Sequence, residues 1–149
     1  MAEVTTSQNG TMVIANYDNS MVFMGYNTFK DESLKNTTGA AVTYKMGTLL
    51  GKAGSSTHSG KVIVLDPAAT DGSQLPNCIL ATDVTIAAGA SANVSVCVKG
   101  DVDGTQIIFG SGVTLATIVT NKTIQDRLMS DTLGIMVRNV QQESRLDNQ

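Results

Sequence analysis

The sequence predicts a mainly β fold: a compact, sandwich- or barrel-like single domain with one short helix near the C-terminus and an extended N-terminal arm. Three observations predict it. Short runs rich in Val, Ile, Leu and Thr recur along the chain, parted by Gly, Pro, Asn and Asp turn signals. One stretch alone carries helix start and stop signals. Residues 1–46 differ in composition from the rest, holding all three Tyr and two of the three Phe.

Residues 1–46 come first. Apolar pieces at Met12–Ala15 and Met21–Met24 are separated by the turn signals Asn9-Gly10 and Asp18-Asn19. The segment reads as an extended arm with short strand-forming pieces, against the alternative that it supplies ordinary strands to the main sheet. Its methionines Met12, Met21 and Met24 suit either core filling or contact with a partner.

Residues 47–149 read as the β-rich domain. "GTLLGKAG" is short and glycine-bounded, and "KVIVLD" is a β-branched run ended by Pro67. A long corner follows, in which Asp66-Pro67, Asp71-Gly72 and Pro76 are turn formers. "CILATDVTI" and "NVSVCVK" flank "AAGASA", a hairpin-type connection turning near Gly89. That hairpin sets Cys78 on the inner face with Leu80, Val84, Ile86, Val94, Val96 and Val98. Cys97 falls on the opposite face, because side chains alternate along a strand. Two reduced thiols are expected.

"TQIIFG" and "VTLATIV" are two further expected strands. "TIQDRLMSDTLG" is the helix: Thr123 can cap the first turn, Asp126 stands three residues on, Ile124 and Leu128 form an i, i+4 apolar pair, and Gly134 can close it. "GIMVRNV" is a final strand and "QQESRLDNQ" a polar tail.

Composition narrows the function. Charged residues make up 15% of the chain, against roughly 25% in an average domain, so the surface relies on Thr, Ser, Asn and Gly. The ten basic residues are scattered and the net charge is −3, which disfavours direct nucleic-acid binding. No apolar stretch nears the ~20 residues of a membrane helix. The N-terminus has no signal-peptide pattern, so synthesis in a cytoplasm is expected.

Catalytic chemistry finds no footing. The single His, His58, lies in the polar loop "GSSTHSG", and one His with two separated Cys makes no standard zinc site. "DVDGT" at 101–105 is faintly like a calcium loop, but the twelfth position from Asp101 is Gly112, where such a loop needs Glu. It reads as a turn. No phosphate-binding glycine motif occurs. No enzyme activity and no cofactor are expected.

Taken in order, the glycine-bounded "GTLLGKAG", the D-x₄-D-G corner at Asp66–Gly72, P-x-x-I-L at Pro76–Leu80, the strand end Val98-Lys99-Gly100 and the terminal Gly134-Ile135 strand form a pattern. Over roughly residues 47 to 140 it resembles the head decoration proteins of tailed bacteriophages. The resemblance implies a β-tulip-type subunit without a catalytic site. It implies a homotrimer at threefold positions on the outside of an expanded capsid, bound to the major capsid protein through its N-terminal segment and stabilising the head against internal DNA pressure.

"TMVIAN" and "SMVFMGYN" are β-capable and uncharged, as strand addition requires. Contact with capsid or a second protomer is therefore assigned to Thr11, Met12, Val13, Ile14, Met21, Val22, Phe23 and Met24, with Asp71 and Gly72 of the corner. The competing reading is a surface- or carbohydrate-binding β-module of a phage tail or adhesin. It is weakened because Phe109 is the one aromatic residue from position 47 on.

Overall fold

Alternation along three strands builds the molecule. The computed structural model describes residues 5–6, 12–13, 22–130 and 132–138. Among them are β1 (Thr5–Thr6), β2 (Met12–Val13), β3 (Phe23–Lys35), β4 (Val42–Tyr44), β5 (Leu49–Lys52), β6 (Val62–Val64), β7 (Pro76–Leu80), β8 (Val84–Ile86) and β9 (Ser91–Asp103). A 3₁₀ turn at Gly104–Gln106, the hairpin β10 (Ile118–Val119) and β11 (Lys122–Thr123), helix α1 (Ile124–Leu128) and β12 (Ile135–Arg138) follow.

The order β9-β3-β6-β5-β7, closed by pairing of β7 with β9, makes a five-stranded barrel. β12 extends it, running parallel to β9 from the pair Ile135–Gly100. β4 and β8 form a separate antiparallel ribbon, and β1 pairs with β2.

Because β5, β7 and β9 are covered on both faces, they read as nearly continuous apolar runs. One set of their side chains, Leu50, Cys78, Leu80, Val94 and Val96, points into the barrel with Leu34 and Val62. Tyr44 and Ile86 of the ribbon belong to the same cluster. The alternate set, Leu49, Ile79, Cys97 and Val102, faces outward and is buried under Ile107, Val119, Ile124, Leu128 and Ile135. The molecule thus has two cores that share their strands. Cys78 lies in the inner core and Cys97 in the outer, both free, so the expected placement on opposite faces holds. Burial pushes the Cys78 thiol up to about 12 and also raises that of Cys97, which keeps both protonated and unreactive at neutral pH.

Several local expectations are corrected. β8 pairs with β4, not with β9, because the chain bends at Asp83, whose carboxylate accepts from the Met46 amide (2.8 Å) and the Lys45 ammonium (3.1 Å). β7 alone meets β9, at Ile79–Cys97 and Leu80–Val96. "TQIIFG" begins as the 3₁₀ turn, started by Asp103, and keeps only a bridge between Thr48 and Ile108. In "VTLATIV" only Ile118–Val119 is strand. The Thr117 hydroxyl accepts from the Thr114 amide (2.9 Å), a local bond that competes with a ladder.

The helix has five residues, with Thr123 Oγ1 accepting from Asp126 N–H at 3.1 Å as expected. Gly134 does adopt the left-handed conformation (φ 71°), but closes the turn after Ser130 instead of the helix itself.

Within the first 46 residues, β3 is a full barrel stave, paired with β9 from Phe23–Val102 to Lys35–Ser91. Its far end is tied by buried Asn36, which donates to the carbonyls of Ala40 (2.8 Å) and Ile86 (3.0 Å) and accepts from Thr38.

Candidate interaction surface

The corner from Asp66 to Pro76 is built from its own side chains. The Asp66 carboxylate accepts from the Ala68 amide (2.9 Å), and Asp71 Oδ1 accepts from both the amide (3.0 Å) and the hydroxyl (2.6 Å) of Ser73. Those Ser73 bonds hold the Asp71 carboxyl below the usual carboxylate range. "DGT" at 103–105 repeats the device, with Asp103 Oδ1 accepting from the Thr105 amide (2.9 Å) and hydroxyl (2.7 Å). Both Asp-Gly pairs are turn formers, as read from sequence.

What the sequence left open is why the corner is so long. It folds back across β5. The Asp71 carbonyl accepts from the amides of Gly54 (2.7 Å) and Ser55 (3.2 Å), and Ser73 is wholly buried. Its backbone lies directly over Gly51, where any Cβ would collide with the Ser73 carbonyl. The corner is therefore a clamped platform, presenting Ala68, Thr70 and Leu75 outward.

Beside it a cleft of about 500 Å³ opens between Leu75-Pro76 and the helix region, with Lys52, Lys122, Arg127 and Leu133 on its walls. Arg127 is occupied in structural work, donating to the carbonyls of Val119 (2.9 Å from Nε) and Thr120 (2.8 Å). Lys52 donates to Glu32 (3.1 Å), as does Lys30 (2.7 Å). Burial pushes the Glu32 carboxyl up, but these two cations outweigh it and leave it below its ordinary value.

His58 lies half-buried in its loop, its amide donating to Ser56 Oγ at 3.2 Å. Among the described residues no group of three or more His, Cys, Asp or Glu could hold a metal.

Of the residues assigned to contact from sequence, Thr11, Ile14 and Met21 lie outside the described residues. Met12 and Val13 form β2, with backbone partners Thr6 and Thr5. Val22 packs into the outer core and its carbonyl accepts from the Asp103 amide at 2.9 Å. Phe23 and Met24 open β3, half-buried. This strip is anchored on β9, whereas Asp71 and Gly72 are anchored on β5, so the two groups occupy different elements.

One exposed residue escaped the sequence reading. Tyr26 is 101% exposed, with φ 54°, in a break of β3 between Gly25 and Asn27. The signal was present: an isolated glycine inside a β run, here Gly25, marks a bulge. Phe109, by contrast, packs partly buried against the outer core.

A family profile described as bacteriophage lambda head decoration protein D matches residues 23–125. No curated protein matches the chain significantly. The match starts at the first residue of β3 and takes in the whole closed barrel, the outer cover as far as α1, and the corner. Spanning well over half of the sequence, it shows that the chain belongs to the bacteriophage lambda head decoration protein family, structural proteins of the phage capsid.

Proposed function

We propose that the protein binds the outer surface of an expanded phage head as a homotrimer at threefold positions and stabilises the shell against the pressure of packaged DNA. The single observation that carries this reading is the family match across the closed barrel.

Three further features support it. Before the barrel lies the uncharged, strand-capable piece "TMVIAN", suited to adding a strand to the major capsid protein as an arm. Ile118, Met129 and Met136 are exposed apolar side chains on the outer cover, and Met is among the residues enriched where protein surfaces meet. The clamped Asp71–Gly72 corner offers a shape that does not have to be ordered on binding, which lowers the entropic cost of a contact. Attached to a lattice, many copies bridging neighbouring subunits add modest contacts into a large resistance to internal DNA pressure.

The test is to mix the purified protein with expanded and unexpanded heads, pellet them, and image the particles at low resolution. Density as knobs on threefold axes of expanded heads is expected, with trimers by sedimentation either free or after release from heads. Protein that remains in the supernatant with both head forms overturns the reading. Deletion of residues 2–21, which spares Val22 and the barrel, is expected to leave the fold intact and abolish attachment. Full-strength binding by that variant removes the role of the arm.

A further inference from the structure

We propose that Tyr26 is an aromatic anchor that inserts into a pocket of the capsid lattice, and that the bulge of β3 exists to hold it out. The inference rests on the capsid-attachment reading and names the side chain that would dominate it.

The bulge is large. From Phe23 to Thr28 β3 takes five steps while β9 takes three, from Val102 to Lys99, and the register steps back by one at Phe29, opposite Cys97. The residues at either side, Phe23 and Phe29, meet edge to face with ring centroids 5.2 Å apart. The chain between them is thus looped out over an aromatic contact.

It is also clamped. Asn27 Oδ1 accepts from the Gly25 amide (2.9 Å), and Asn27 Nδ2 donates to the Asp101 carbonyl (2.9 Å) and toward Cys97 Sγ (3.5 Å). Across from it, Gly100 has φ 128°, and a Cβ there would lie 2.6 Å from the Asn27 Cα. Both strands are therefore shaped around the bulge, and it is not a frayed end.

What the clamp produces is a tyrosine in the left-handed region, where a bulky side chain is strained. The four described non-glycine residues with positive φ are Tyr26, Ser56, Thr120 and Asn121, and of these only Tyr26 interrupts a strand. Its ring is fully exposed, so no internal packing compensates for the strain. Strain held by surrounding structure, with nothing gained inside the protomer, points to a partner outside it.

The chemistry identifies that partner. An exposed, rigidly held Tyr suits a pocket with apolar walls and a hydrogen-bond acceptor at the phenol's end. Tyr26 lies three residues past Phe23, where the barrel begins and the proposed arm ends, so an arm that attaches a head decoration protein to its capsid brings Tyr26 to that same surface. The capsid subunit is thereby preferred to a second copy of the chain.

The test compares wild type with Tyr26→Ala, Tyr26→Gly and Tyr26→Phe for binding to expanded heads, with sedimentation and thermal unfolding of each. Tyr26→Ala and Tyr26→Gly are expected to weaken binding roughly tenfold or more, with sedimentation unchanged. Tyr26→Phe is expected to retain most of it. Tyr26→Gly is expected to unfold at the same or a higher temperature than Tyr26→Ala, because glycine accepts the left-handed conformation.

Equal binding by wild type and Tyr26→Ala overturns the anchor while leaving attachment standing. Loss of trimers in Tyr26→Ala also overturns it, by moving the contact to a second copy. Failure of wild type to bind heads removes the attachment reading and the anchor with it.

Discussion

The inner and outer cores use the same strands but are closed in different ways. Leu50, Cys78, Leu80 and Val96 are enclosed by the barrel itself, through ladders on every side. Their neighbours Leu49, Ile79 and Cys97 are enclosed by a cover that includes the 3₁₀ turn, a two-residue hairpin, a five-residue helix and the parallel strand β12. The inner core is held by regular backbone pairing. The outer one is held by individual caps, such as Thr123 on Asp126 and Arg127 on the Val119 carbonyl. Equal burial therefore need not mean equal stability: the cover is the part that opens first, since local stability follows the density of protected hydrogen bonds.

The largest effect expected is at Leu80, wholly buried inside the barrel. Leu80→Ala is expected to cost about 4 kcal/mol, and Leu128→Ala, equally buried in the cover, nearer about 2, because a short helix can collapse into the space. Hydrogen exchange separates them: Leu128→Ala speeds exchange of residues 104–138 alone, whereas Leu80→Ala speeds the barrel too. Identical patterns would merge the two cores into one cooperative unit.

Next comes the joint between β5 and the corner. Gly51→Ala drives a methyl into the Ser73 carbonyl and is expected to cost about 3 kcal/mol. Gly39→Ala, with nothing within 4 Å, is the matched control and is expected to be close to neutral. Thermal unfolding of the pair checks whether the corner is clamped or merely adjacent.

Removing the cap with Thr123→Ala is expected to cost about 1 kcal/mol, and to show as faster exchange in the cover with barrel amides unchanged. The smallest effect belongs to Glu32, on the barrel wall. Its carboxyl is lowered by Lys30 and Lys52, so the stability it contributes is complete above the ordinary carboxylate pKa and is lost as pH falls through its folded value. Glu32→Gln is expected to flatten the acid limb of a stability–pH curve slightly, since both lysines are well exposed and screened. An unchanged acid limb would assign it to Asp71 and Asp83, whose carboxyls are also lowered.

Much of the barrel was legible because period-2 patterning declares itself locally. The apolar runs at Leu49–Leu50, Val62–Val64, Cys78–Leu80 and Val94–Val98 all became staves, and the opposed faces of Cys78 and Cys97 followed from counting. Residues 105–110 and 113–117 were misread as strand, while Ile118–Val119 is strand as read, because β-branched content is shared by strands and by threonine-stabilised turns. β3 was obscured by its polar, charged sequence: its outer positions face solvent, leaving Leu34 as its one buried residue. Of the contact assignments, Asp71 and Gly72 were recognised as turn formers, but Tyr26 was not singled out, since its projection depends on where β3 slips against β9.

The sequence by itself determined the β class, the single capped helix, the separation of the two thiols and the turn chemistry of the Asp-Gly pairs. Each of these depends on residues a few positions apart, through side-chain alternation, local hydrogen bonds or glycine's freedom. The tertiary structure decided which strands pair, that β8 leaves β9 for β4, that Ser73 must rest on Gly51, and that Asn27 against Gly100 thrusts Tyr26 into solvent. These joints bring together residues some 20 to 70 positions apart, so their geometry exists only once the barrel has closed.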